Sequence, residues 1–301
     1  MGRLLNAALA PSTTQSYKNA LHHYTLFHST FYPTDPVLPV SVEKLAQFVA
    51  VCNSRGLKAS TITSFTSAIS YFHKIQGAES PSDSFLIKKI LHGLRRSSTP
   101  DKRMPVTIPI LQQVIKALSY QLLDQHTQTI FRAMILTAFF GLLRIGEIAV
   151  SKSSPYNVVL RQNVRFEFNE NKPSIALLHL AHYKHSQGKV ATIPLKRHPR
   201  KQLCPVRCLY QICSRAADTG PLFRHSCGCP VSTSSFRSVL RKCFLHCNLD
   251  PGRYTAHSLR IGGATYAHSK NVPGEEIKRM GRWKSSAYLK YIRPAPVPLP
   301  N

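Results

Sequence analysis

Apolar positions recur at three- and four-residue steps through the first hundred residues, and this spacing predicts helices. Tyr17, Leu21, Tyr24, Phe27 and Phe31 make one such face, which residues 34–39 (TDPVLP) interrupt. Ser41 predicts the N-cap of a second helix with Val42, Leu45, Phe48, Val49 and Cys52 inward, ending at Ser54-Arg55-Gly56. A third begins at Ser60 or Thr61, carries Ile62, Phe65, Ile69, Phe72 and Ile75 on one face, and stops at Gly77. A fourth is expected over residues 82–94. Four helices in about 95 residues make a small all-helical domain.

The pattern then changes. Residues 97–105 (SSTPDKRMP) are polar, with two prolines, and read as a linker. Residues 110–123 and 127–143 are helical by spacing. The second run (FRAMILTAFFGLL) is apolar on every side, as a core helix is. Alternation predicts strands at 158–160 and 164–168, and more strongly at 175–180 and 190–195. Residues 204–249 read as two or three helices around a turn at Gly220-Pro221 and a loop at 226–230. The prediction is a mainly α chain with a small β-sheet. A helical domain at 1–96 and a linker at 97–106 precede a mixed α+β domain at 107–301.

Charge adds a partner to this picture. The chain carries 40 Lys+Arg against 13 Asp+Glu, a formal charge of +27. Such an excess calls for a polyanion, and nucleic acid is the expected one. The cations are spread along the whole chain rather than gathered on one amphipathic helix, which argues against a membrane surface. No apolar run has the length of a membrane span, and the first ten residues (MGRLLNAALA) are short for a signal peptide. An intracellular protein with reduced cysteines is expected, nuclear in a eukaryote. Seven of the eight cysteines fall between Cys204 and Cys247. Their spacings are C-x3-C, C-x-C and C-x3-C, not the paired C-x2-C of zinc sites. Free thiols filling small gaps are expected instead, with no metal and no cofactor.

Residues 254–293 (YTAHSLRIGGATYAHSKNVPGEEIKRMGRWKSSAYLKYIR) hold the candidate chemistry. His257 and Arg260 stand three apart, Gly262-Gly263 follow, then Gly281-Arg282-Trp283, then Tyr291 eight residues after the Trp. The stretch offers fixed cations, an imidazole, an indole N–H and a phenol, and it contains no carboxylate cluster. These are parts for gripping a phosphodiester and attacking it with oxygen, without a metal. Upstream, Arg144 follows the apolar run inside Gly141-Leu142-Leu143-Arg144-Ile145-Gly146-Glu147, where an arginine must pair, snorkel or face a cleft.

This combination resembles the tyrosine recombinases, the phage-integrase family. Their signature is G-x-x-R-x-x-E, a hairpin lysine, H-x-x-R, His or Trp, and a nucleophilic Tyr. The wording HSLRIGGAT and GRWKSSAYLKYIR is most similar to recombinases of eukaryotic mobile elements, DIRS-like or Crypton-like. The resemblance spans residues 12–293 and is most specific in its last forty. It implies a four-helix core-binding domain that closes over DNA opposite a catalytic domain of the DNA breaking-rejoining type. By the same resemblance Arg144 and Arg260 grip the scissile phosphate. Glu147 orients the site, His257 and Trp283 donate hydrogen bonds, and Tyr291 forms a 3′-phosphotyrosyl link. Lys184, in the turn AHYKHSQGK, protonates the leaving 5′-hydroxyl. Lys189 is its rival, and the family's usual Thr after this Lys is here His185. The implied partner is double-stranded DNA, held by a homo-oligomer, a tetramer on paired sites, with no small-molecule substrate. Two other readings stand beside it. One is a DNA-binding protein that kept the fold and lost strand exchange. The other is a type IB topoisomerase, separable by comparing plasmid relaxation with paired-site exchange. Tyr288 is the rival nucleophile.

Overall fold

A computed structural model describes residues 8–99, 101–151, 157–183, 186, 188–214 and 219–293. The chain divides into two compact units, Met1–Asp101 and Lys102–Asn301. No described helix is long and apolar enough to cross a membrane.

The first unit is helical. Helix α1 (Pro11–Phe31) opens on a proline, whose fixed φ and missing N–H suit a first turn. Helix α2 (Val42–Ser54) is capped by Ser41, whose hydroxyl accepts from Lys44 N–H. Helix α3 (Ala59–Ile75) ends before Gly77, which takes a left-handed φ of +71°. Helix α4 (Phe85–Ser97) is capped by Ser84 and follows a 3-10 turn at Pro81–Asp83. The expected fourth helix thus starts later than residue 82. Tyr24, Phe27, Leu45, Phe48, Val49, Ile62, Phe65 and Ile69 close the core. Phe48 lies 5.3 Å, ring to ring, from both Tyr24 and Phe27. Phe31 and Ile75 keep the helical period but end their helices, and they are exposed at 52% and 42%. His73 is buried. Its Nε2 accepts from Val40 N–H at 2.8 Å, so the proton sits on Nδ1, which faces Ile69 O at 2.8 Å. That imidazole is a neutral structural group.

The second unit is built round α6 (Gln125–Phe140), capped by Asp124. Its Ile130, Phe131, Met134, Ile135, Leu136 and Phe139 are all buried. Around it stand α5 (Ile108–Ala117), the short α7 (Ile145–Ile148), α8 (Pro205–Cys213), α9 (Thr233–His246), α10 (Ala256–Ser269) and α11 (Gly274–Met280). Strands β1 (Val164–Asn169), β2 (Lys172–Leu180) and β3 (Ala191–Lys196) form an antiparallel sheet in that order. Glu170 and Asn171, both at positive φ, turn β1 into β2 as a two-residue hairpin requires. Leu178 and Leu180 of β2 and Ile193 and Leu195 of β3 are buried. Residues 158–160, expected as a strand, make only an isolated bridge, Leu160 to Pro221. A 3-10 turn at Arg161–Asn163 intervenes before β1, so no ladder extends there.

Part of the stretch read as a linker is docked. Met104 N–H donates to Arg253 O (2.8 Å) and Val106 N–H to Ser258 O (3.1 Å). A Cβ at Gly262 would fall 2.0 Å from Val106 O, and one at Gly263 would fall 2.1 Å from Phe139 O. The Gly-Gly step therefore lets α10 lie directly against two other backbones.

Cys204, Cys208, Cys213 and Cys243 are buried. Burial pushes the Cys208 thiol up to about 11 and the Cys243 thiol up to about 12. Cys227 and Cys229 are exposed. Among the described residues, no group of three or more His, Cys, Asp or Glu could hold a metal ion.

Candidate active site

Three segments of the second unit meet at the candidate site. The first follows α6. Gly141 caps that helix, Leu142 turns left-handed at φ +48°, and Arg144 becomes the N-cap of α7. Arg144 N–H donates to Glu147 Oε2 at 2.8 Å, and the Arg144 guanidinium donates to Oε1 at 3.0 Å. Glu147 is only 4% exposed, so its charge is tolerated because it is paired.

The second segment is α10, whose N-cap Thr255 accepts from His257 N–H. The three-residue spacing puts His257 and Arg260 on one side of the helix. Arg260 is 0% exposed. Its guanidinium donates to Leu142 O and Gly281 O. It lies 4.3 Å above the centroid of the Trp283 ring, a cation–π distance. Burial, then the nearby Arg144, pushes its pKa down to about 9, so it remains a cation at neutral pH. Its Nε–H is buried and meets no acceptor among the described residues.

The third segment follows α11. Gly281 is pinned by the indole, since a Cβ there would fall 1.6 Å from Trp283 Cζ3. Ser285 caps a 3-10 turn at Ser286–Tyr291, and Tyr291 O accepts from Thr265 Oγ1 at 3.1 Å. Leu142, Ala264, Ala267 and Ile277 form the small core under this turn. Tyr291 is half-buried, with its ring centroid 4.8 Å from Trp283 and 5.1 Å from His257. The Arg260 guanidinium carbon stands 5.5 Å from the same ring. Tyr288 is turned elsewhere: a Cβ at Gly274 would come within 2.5 Å of its hydroxyl.

Arg144, Glu147, His257, Arg260, Trp283 and Tyr291 thus share one neighbourhood. Lys184 and His185 lie outside the described residues. Tyr183 just before them and Lys189 just after line a groove of about 460 Å³, together with Arg282 and Trp283. One further group was not singled out from the sequence. Arg282, at φ +56° with its side chain 6% exposed, donates to Glu147 Oε2 at 2.6 Å and to Met280 O at 2.9 Å. The available signal was a cation two residues past a helix end, where unpaired carbonyls gather. The assembled chemistry is a set of guanidinium donors beside a half-buried phenol, and the buried Nε–H groups of Arg260 and Arg282 meet no acceptor among the described residues. Such a set suits an oxyanion attacked by oxygen.

Residues 4–79 match the family model of the phage integrase N-terminal SAM-like domain. An integrase/recombinase xerD homolog of Selenomonas ruminantium is 25% identical over 269 residues, 85% of this chain and 74% of that protein. The chain also has the fold of a lambda integrase dimer bound to a COC′ core site (TM-score 0.65, 14% identity, 97% of this chain and 74% of that one). It is similar to the Tn1549 transposon integrase in complex with transposon right end DNA (TM-score 0.60, 13% identity, 94% and 95%). A third likeness is to XerH recombinase bound to difH (TM-score 0.62, 14% identity, 90% and 75%). The chain is thus similar to the phage integrase N-terminal SAM-like domain over residues 4–79 and shares its fold with these solved integrases and recombinases.

Proposed function

We infer that this chain is a site-specific DNA recombinase that cuts and rejoins DNA through Tyr291. The observation that carries this is the Tyr291 phenol beside His257, Trp283 and the buried Arg260, whose Nε–H has no acceptor among the described residues. Arg144 and Arg260 hold the non-bridging oxygens of the scissile phosphate; their planar, permanently charged forks suit that task. Tyr291 Oη attacks phosphorus while its proton passes to His257. The new O–P bond leaves a 3′-phosphotyrosyl link, and the P–O5′ bond breaks. Lys184 gives the leaving 5′-oxygen its proton. Trp283 donates its indole N–H to the phosphate. The covalent link retains the phosphodiester energy, so a 5′-hydroxyl from another duplex reverses the reaction without ATP.

Of the solved structures with this fold, one is a lambda integrase dimer bound to a COC′ core site and another a lambda integrase tetramer bound to a Holliday junction. By analogy the chain works as a homo-oligomer, a tetramer on paired duplex sites. The HSLRIGGAT and GRWKSSAYLKYIR segments favour a mobile-element recombinase of the DIRS-like or Crypton-like kind, acting in integration or excision. A nicked duplex that loses its 5′-terminal fragment after cleavage would trap the adduct. Sequencing the trapped DNA would identify the target site. A covalent adduct and exchange between paired sites support the reading. DNA binding with no adduct would favour a recombinase-derived binding protein, and relaxation without exchange a topoisomerase.

A further inference from the structure

Arg282 is the buried cation that the mechanism above leaves unused. Its guanidinium reaches both halves of the phosphate grip. Toward Arg144 it donates to Glu147 Oε2 at 2.6 Å, the same oxygen that accepts Arg144 N–H at 2.8 Å. The other oxygen of that carboxylate holds the Arg144 guanidinium at 3.0 Å. Toward Arg260 it donates to Leu142 O at 3.3 Å, the carbonyl that also accepts from Arg260. Gly281, the residue just before it, supplies the second carbonyl bound by Arg260. One side chain therefore ties Glu147 and Leu142, which in turn hold the two arginines expected at the phosphate.

The backbone around this link is held in a conformation that β-carbon residues seldom adopt. Arg282 and Leu142 are both left-handed, at φ +56° and +48°. Each such residue is strained and persists only where its surroundings hold it. Here the left-handed turn at Arg282 directs its side chain inward and sends Trp283 back across Arg260. The charges also matter. Arg144, Arg260 and Arg282 face one carboxylate, Glu147. Without Arg282, that carboxylate would lose its 2.6 Å ion pair and lean more on Arg144, and its pull would oppose the phosphate for the same guanidinium.

We propose that Arg282 is a positioning residue for strand cleavage: through Glu147 and the Leu142 carbonyl it sets Arg144 and Arg260 in register with the scissile phosphate and keeps Arg144 available to it. The role rests on the recombinase reading and adds to it a residue that does not itself touch DNA.

The test uses the full chain with Arg282→Lys and Arg282→Met on two suicide duplexes. One has an ordinary scissile phosphate. The other has a methylphosphonate there, in which methyl replaces a non-bridging oxygen and removes the charge the arginines must hold. Arg282→Lys keeps a cation but loses the fork, so it guards against a Met variant that does not fold. Expected is a thermal midpoint and duplex affinity near the parent's for Arg282→Lys. Adduct formation on the ordinary phosphate should be slower by about tenfold to a hundredfold, the scale of a small misplacement at a reacting centre. On the methylphosphonate the same variant should come within about threefold of the parent, since the charge it helps to bind is gone. Equal slowing on both duplexes would mean that Arg282 only supports the fold, and parental rates on both would remove it from cleavage altogether. A parent chain that forms no adduct on either duplex overturns the recombinase reading itself.

Discussion

The ring of Tyr291 lies 4.8 Å from that of Trp283, whereas Tyr288, three residues earlier, stands 6.5 Å from the same indole. Tyr291 also meets His257 and the Arg260 guanidinium, and Tyr288 packs its hydroxyl toward Gly274. A free phenol has a pKa near about 10, so attack at neutral pH needs the base and the cations that surround only one of them. Tyr291→Phe removes one oxygen. It should abolish the covalent adduct on a nicked duplex while leaving duplex affinity within about twofold, well under the tenfold that 1.4 kcal/mol represents. Tyr288→Phe should still form the adduct. The reverse pattern on a denaturing gel would move the nucleophile to Tyr288.

The glycine pair of α10 makes a stability prediction. A Cβ at Gly263 would meet Phe139 O at 2.1 Å and Leu142 Cδ2 at 2.5 Å, and the first of these is backbone that cannot swing away. Gly263→Ala should destabilise the second unit by about 2 kcal/mol, the range of overpacking. That is a fall of roughly 4–8 °C in its thermal midpoint for a unit of this size. Gly93, inside α4, has nothing within 4 Å of an added Cβ. Gly93→Ala should stabilise the first unit by up to about 1 kcal/mol through helix propensity. Calorimetry that finds the two substitutions equivalent would remove the close-approach argument.

These two cases show where the sequence was informative. Ser41 as a cap, and Phe48 and Ile62 as core, follow from local spacing, because capping and helical period act within a few residues. The gathering of His257, Arg260, Trp283 and Tyr291 was legible because a known family's motif supplied their order. Arg282 was not, since its partner Glu147 stands 135 residues away and its left-handed φ leaves no periodic trace. Residues 158–160 alternate as a strand does, yet a ladder needs a partner, and only Pro221 bridges to Leu160. Phe31 and Ile75 obey the period of their helices but lie past the end of the core they point toward.

The buried thiols predict a pH dependence with a defined sign. Burial raises Cys208 and Cys213 to about 11 and Cys243 to about 12, against an ordinary value of 9.0. A raised thiol pKa means that the unfolded chain ionises first. Their contribution to stability is therefore complete below pH about 9 and is lost as pH rises from there toward about 11 to 12. Denaturant midpoints should fall across that window, and substituting Cys208 and Cys243 by Ala should flatten the fall. At pH 8 iodoacetamide should label exposed Cys227 and Cys229 first, with the buried thiols reacting only after unfolding. Rapid native labelling of Cys243, read by mass spectrometry, would contradict this burial.

The formal charge of +27 predicts how duplex binding responds to salt. Each phosphate neutralised by Lys or Arg contributes about −0.9 to the slope of log K against log salt. A recombinase holding its site through the backbone should show a slope several times that value. Anisotropy titrations across a salt series measure it directly. A slope near zero would remove nucleic acid as the partner.

The last prediction concerns Lys184 and its rival Lys189. The proposed role is to protonate the 5′-oxygen as it leaves, because an alkoxide is a poor leaving group near neutral pH. A thiol in that position has a pKa near about 8.5 and leaves as thiolate with little need of a proton. A duplex whose bridging 5′-oxygen is replaced by sulfur therefore separates the proton donor from every other role. Lys184→Ala should slow adduct formation on ordinary DNA by about a hundredfold or more, the lower end of the range for general acid catalysis. On the sulfur-bridged duplex it should match the parent. Tyr291→Phe should be inactive on both, since no leaving group replaces a missing nucleophile. Lys189 lines the groove beside Arg282 and Trp283 and carries its own cation close to the candidate site. If Lys189→Ala, and not Lys184→Ala, is the variant restored by sulfur, the acid is Lys189. If neither is restored, the proton comes from another group.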